Sequence, residues 1–151
     1  MIFVIVIVIL IIDQLSKFIV SNSLSLHQSI PVIKNVVSIS LVHNRGAAFG
    51  LLKNQVPLFI FSALLAVGLI FFYLRKNNKK YPLFYKLALA LIVAGALGNL
   101  IDRILWGYVI DFIDFGFWPV FNIADSSITV GSVLLAYTML KTGKLHHDSQ
   151  K

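Results

Sequence analysis

The chain has 151 residues, of which 58% are hydrophobic and 13% charged, with a formal net charge of +7 and a mean hydropathy of +0.88. So few charged groups cannot cover the water-facing surface of a domain this size, which excludes an ordinary soluble protein and places the chain in the membrane class. The absence of cysteine excludes disulfides, a thiol nucleophile and cysteine-bound metal, and the basic residues sit at the ends of apolar runs, where they fit anionic headgroups rather than nucleic acid.

Residues 1–20 open with the unbroken apolar run MIFVIVIVILII and are long enough to span a bilayer as a helix. A cleaved signal peptide is the rival reading, but there is no basic leading region and no A-x-A site, and Asp13 and Lys17 interrupt the segment. Those two residues are four apart and can face each other on one helix side as a structural pair. Residues 21–55 form a polar lobe. Within it Val37–Leu41 alternates as a strand does, His43–Gly46 reads as a turn, and Ala47–Leu52 fits a short interfacial helix.

A second span is expected over 56–74, with Pro57 in its first turn, and a loop over 75–82 carries Arg75, Lys76, Lys79 and Lys80. A third span covers 83–104, where Ala90, Ala94 and Gly98 recur every four residues and make a narrow seam for close packing. Residues 105–120 read as a linker whose Trp106, Tyr108 and Trp118 mark a membrane–water boundary. The fourth span, 121–140, carries Ser126, Ser127, Thr129 and Ser132, so it is expected to be the span most enclosed by protein. The tail, 141–151, is basic and expected to be loose. Cations concentrate in the 75–82 loop, which therefore lies in the cytoplasm with both termini, while the lobe and the 105–120 linker lie outside.

Four of the six carboxylates, Asp102, Asp111, Asp114 and Asp125, fall within residues 95–125, and there is no Glu. Ionisable groups at membrane depth are costly, which makes such clustering a functional-site signal. Asp102 lies 19 residues beyond the start of the third span, a rise of roughly 28 Å that puts it at the outer end. Asp125 lies at the start of the fourth span and Asp111 in the linker between. Asn99, Asp102 and Arg103 share one helix face, and Asn122, Asp125 and Thr129 share another, so two polar faces meet at one depth. Two carboxylates held close share one proton, so one can act as base on a water while the other hydrogen-bonds a substrate carbonyl. That chemistry requires neither metal nor cofactor. His27, His43, His146 and His147 form no HExxH, and no G-x-S-x-G elbow or phosphate-cradling glycine loop is present. The plainer reading of Asp102 is a pair with Arg103, and of Asp114 a residue in headgroup water. The residues alone leave the working pair open among Asp102, Asp111 and Asp125. They also leave room for a small channel or transporter that uses the carboxylates as a cation path, or for a non-catalytic scaffold.

Five segments in order resemble the boxes of bacterial lipoprotein signal peptidase, signal peptidase II. They are Asp13-Gln14-Leu15-Ser16-Lys17, Asn44-Arg45-Gly46-Ala47-Ala48-Phe49, Gly98-Asn99-Leu100-Ile101-Asp102-Arg103, Val109-Ile110-Asp111-Phe112 and Phe121-Asn122-Ile123-Ala124-Asp125. The resemblance implies an all-α polytopic membrane protein, a single membrane domain over 1–151 with four transmembrane helices and a small extracytoplasmic β-cradle. It implies an aspartic endopeptidase of the bacterial cytoplasmic membrane that cuts lipid-modified prolipoproteins just before a diacylglyceryl cysteine. Asp111 and Asp125 are then catalytic, Asn44 and Arg103 position substrate, and Asn99, Asp102 and Asn122 support the site. The implied partners are the prolipoproteins and membrane lipids, with no nucleic acid, cofactor or metal.

Overall fold

A computed structural model describes residues 2–46, 52–77 and 81–148. The interfacial helix expected over 47–52 therefore falls almost wholly outside the described residues, as do Lys79 and Lys80. Among the described residues, four helices are long and apolar enough to cross a membrane: α1 (Ile2–Ser23), α2 (Val56–Asn77), α3 (Leu83–Trp106) and α4 (Ile123–Asp148). Three strands, β1 (Ser29–Ile33), β2 (Val37–Asn44) and β3 (Val109–Asp114), form one antiparallel sheet in the order β1-β2-β3. The protein is thus an all-α polytopic membrane protein bearing a small sheet.

α1 and α2 meet their neighbours with little of their surface. The buried residues of α1 are Val6, Asp13, Lys17 and Val20, a single stripe at helical spacing, and Phe3 and Phe18 on the other sides are exposed as lipid-facing residues are. The Ala90–Ala94 seam of α3 receives Val6 of α1. Gly98 continues that seam, but its neighbours are Asp13 and Ala124: a Cβ there would lie 2.6 Å from Asp13 Oδ2. The tightest approach of α3 to α4 uses glycines outside the seam. A Cβ at Gly95 would collide with the Ala124 backbone carbonyl, and one at Gly131 would lie 2.8 Å from the Ala88 carbonyl. Backbone cannot give way as a flexible side chain can, so Gly95→Ala is expected to destabilise by about 1–3 kcal/mol. Gly68→Ala on α2, where nothing stands within 4 Å, is neutral or slightly stabilising because alanine is the better helix former. Thermal unfolding of the two variants in detergent micelles checks the contrast.

The enclosure of the spans differs from the sequence expectation. The third span is the most buried, with 44% of its apolar window inside the protein against 22% for the fourth. Of the hydroxyls expected to call for enclosure, Ser127 does bond the Leu91 carbonyl of α3, but those of Ser126 and Thr129 bond the carbonyls of Asn122 and Asp125 one turn back. These two are satisfied without neighbours, so they do not require enclosure. Small residues on α3, by contrast, admit helices on several sides. α4 also continues to Asp148, beyond the apolar window that ends at Lys141.

The 105–120 stretch is not a plain linker. Gly107 closes α3 in the left-handed conformation (φ 72°), its N–H bonded to the Arg103 carbonyl at 3.1 Å, and β3 starts two residues later. β3 pairs with β2 through Val42↔Asp111, His43↔Ile110 and Asn44↔Val109, then folds back so that Ile113 bridges Phe121. Ile110 and Phe112 pack with Leu41 on Val20 and Leu24, which seats the sheet on the end of α1. Asp111, between them in the strand, faces the opposite way.

Candidate active site

Asn122 precedes the first residue of α4 and acts as its cap. Its side-chain oxygen accepts the backbone N–H of Asp125 at 2.8 Å, which satisfies one of the helix's unpaired donors. The next free donor, the Ala124 N–H, goes to Asp13 Oδ1 of α1 at 2.9 Å. Asp125 itself stands in the first turn of α4, where the helix dipole favours a negative charge.

The amide nitrogen of Asn122 donates to Asp111 Oδ1 at 2.7 Å and to Asn99 Oδ1 at 3.1 Å. Asn99 Nδ2 donates to Asp125 Oδ1 at 2.7 Å. Asn44 Nδ2, arriving on β2, donates to Asp111 Oδ2 at 2.9 Å. Two carboxylates from separate elements are therefore held by one chain of side-chain amides. Both line a cavity of about 570 Å³, together with Asn44, Asn99 and Arg103, and with Trp118, Phe121 and Val130 on its apolar side. Arg103 packs its guanidinium over the Phe59 ring of α2, 4.8 Å from the centroid, and reaches the carbonyls of Asn99 and Gly46 through long contacts of 3.4 Å.

Asp111 is 1% exposed. Burial disfavours its charge, and the nearby Asp125 charge adds to this, so its carboxyl is pushed up to about 7 despite the hydrogen bonds from Asn44 and Asn122. It is poised to exchange a proton near neutrality.

The other predicted positions fall differently. Asp102 does not pair with Arg103: its Oδ2 meets Lys17 Nζ at 2.9 Å and accepts the Ile110 N–H at 3.1 Å. Neighbouring positions on a helix point about 100° apart, so Asp102 turns to α1 and Arg103 to the cavity. Asp102 thus stands one layer behind the cavity. Asp114 lies at the end of β3, bonded to Ser40 Oγ and the Gly116 N–H, both at 2.8 Å, away from the other acids. Asp13 and Lys17 form the expected pair at 2.8 Å, and both are buried. Their spacing showed the pair, while nothing in it showed the partners on α3. Among the described residues, no group of three or more His, Cys, Asp or Glu is placed to hold a metal ion.

Residues 5–141 match the family model described as signal peptidase (SPase) II. The chain is similar to the lipoprotein signal peptidase of Clostridioides difficile, 48% identical over 143 residues that cover 93% of this chain and 95% of that one. It is also similar to that of Halothermothrix orenii, 42% identical over 135 residues covering 89% and 92% of the two. A bacterial membrane enzyme solved by the in meso method at 2.3 Å superposes with a TM-score of 0.87 at 36% identity, over 93% of this chain and 87% of that one. A second such structure, at 1.9 Å, gives 0.84, also at 36% identity, over 93% and 92%.

Proposed function

Because the chain belongs to the signal peptidase II family, a family of multi-pass bacterial membrane peptidases that process lipoproteins, we propose that it works as an aspartic endopeptidase with Asp111 and Asp125 as its catalytic pair. Its substrates are prolipoproteins whose signal peptide precedes a cysteine already carrying a diacylglyceryl group, and the cut falls just before that cysteine. The observation that supports this best is the pair of carboxylates tied to one amide chain at the floor of one cavity.

The pair shares one proton. The ionised carboxylate takes a proton from a water as its oxygen attacks the scissile carbonyl carbon, and the protonated one hydrogen-bonds the carbonyl oxygen as it gains charge. Proton return to the amide nitrogen releases the cysteine amine and leaves a carboxylate on the signal peptide. Asn44 and Arg103, at the cavity wall, hold the substrate backbone. Arg75 and Lys76 at the end of α2 orient that end toward the cytoplasm. Both termini then lie in the cytoplasm, and the sheet and the cavity at the outer face, where water meets lipid. An apolar signal helix and acyl chains can reach such a site sideways from the bilayer.

The test is incubation of the purified chain in phospholipid micelles with a prolipoprotein, with and without the diacylglyceryl group. Mass spectrometry is expected to find a mature product beginning at the lipidated cysteine, and no product from the unmodified precursor. Cleavage elsewhere, or indifference to the lipid, contradicts the reading. The raised Asp111 carboxyl sets the basic limb of the rate profile. Activity requires the shared proton, so it is present below a pH of about 7 and lost as pH rises through it. A plot of kcat/KM against pH checks the midpoint.

A further inference from the structure

Lys17 lies outside the cavity, yet its ammonium is connected to both aspartates through side-chain amides. It is 2% exposed and donates to Asp13 Oδ2 at 2.8 Å, Asp102 Oδ2 at 2.9 Å and Asn99 Oδ1 at 3.1 Å. A lysine ammonium has three N–H donors and no acceptor, so all of them meet acceptors among the described residues. The Asn99 amide is thereby obliged to turn its oxygen toward α1. Its nitrogen points the other way, into Asp125 Oδ1 at 2.7 Å. The same Asn99 oxygen accepts from Asn122 Nδ2, which also donates to Asp111 Oδ1 at 2.7 Å, while the Asn122 oxygen accepts the Asp125 N–H. The orientation of Asn99 follows from that buried cation, whereas Asn122 is also held by two backbone groups, the Asp125 N–H and the Ile110 carbonyl at 3.3 Å.

Resting on the reading of Asp111 and Asp125 as the catalytic pair, we propose that Lys17 is a positioning residue for the reaction. It fixes the polarity of Asn99, so that an N–H donor and not an oxygen faces Asp125. Donors favour the ionised form of a carboxylate. A reversed Asn99 would present its oxygen to Asp125, which only a protonated carboxyl could satisfy. In a buried network such a reversal is costly, so one orientation persists while the cation is present. A purely structural Lys17 would neutralise Asp13 and Asp102 and do nothing more. The charged groups around the amides are Asp13 and Lys17 from α1, Asp102 and Arg103 from α3, Asp111 from β3 and Asp125 from α4. On the β2 side Asn44 faces Asp111, whereas His43 stacks on Tyr108 and Arg45 is exposed, and α2 contributes the Phe59 ring.

The decisive variant is Lys17→Met/Asp102→Asn in the full chain, which removes one positive and one negative charge and leaves the local balance unchanged. Turnover of a lipidated precursor is expected to fall roughly 10- to 100-fold in kcat, with KM little changed and the acid limb of the pH profile moved upward. A folded double variant with wild-type kcat and an unshifted profile overturns the proposal. Asp111→Asn and Asp125→Asn run alongside as controls. Their inactivity beside a fully active double variant removes only the role of Lys17, whereas activity in either control removes the pair and this inference with it. Should the double variant fail to fold, the wild-type chain decides by NMR. The Asn99 side-chain amide protons are expected to shift as the pair titrates, and amide protons that ignore the titration overturn the proposal.

Discussion

Asp111→Asn and Asp125→Asn each lower cleavage of a lipidated precursor by about 10⁴-fold while the chain still inserts and folds. Asparagine keeps the size of aspartate and one acceptor oxygen. The bonds from Asn122 and Asn44 to position 111, or from Asn99 to position 125, are therefore partly retained. The cap of α4 is untouched because it uses the Asp125 backbone N–H rather than its carboxylate. What is lost is the capacity to take up and release a proton. The two carboxylates act as a unit, so removing both is expected to cost little more than removing one. Asp114→Asn is the matched control: its partners are Ser40 and Gly116, and near-wild-type turnover is expected. A lipoprotein-processing assay with an immunoblot for membrane insertion separates these outcomes, and turnover within tenfold of wild type in either variant at 111 or 125 would count against the pair.

Lys17→Met alone is the largest stability effect expected. An exposed lysine–aspartate pair one helical turn apart is worth about 0.3–0.5 kcal/mol. Lys17 is 2% exposed and serves two carboxylates at once. Its removal leaves Asp13 and Asp102 buried without their counter-ion, at a cost of roughly 3–5 kcal/mol and a fall in Tm of about 10 °C. The consequences spread because Asp13 also holds the Ala124 N–H of α4 and Asp102 the Ile110 N–H of β3. Thermal unfolding in micelles measures this. A Tm within about 2 °C of wild type would mean that the triad contributes no more than a surface pair.

The helices were readable because lipid imposes a continuous apolar run, which needs no partner to be recognised. Packing was not readable in the same way. The Ala90–Ala94–Gly98 seam was visible as a period of four, yet the closest contacts of α3 with α4 are at Gly95 and Gly131, whose neighbours only the fold supplies. β3 was hidden for a related reason. Val109, Ile110, Asp111 and Phe112 are all buried, so the strand has no exposed face to produce alternation. Asp111 could be placed near the other acids, but not on a strand that presents it to Asn44. Asp102 pairs with Lys17 and not with Arg103 because sequence adjacency on a helix separates side chains rather than joining them.

Only six side-chain carboxyls exist in the chain, all of them aspartates, so selective ¹³C labelling of aspartate yields a spectrum simple enough to follow Asp111 by itself. Its titration in the wild-type chain and in Asp125→Asn measures directly whether the two groups act on each other. A wild-type midpoint near 7 is expected, falling when the charge at position 125 is removed, because that charge is one cause of the elevation. An identical Asp111 midpoint in the two proteins would contradict the pairing, since carboxylates that do not feel each other cannot share a proton.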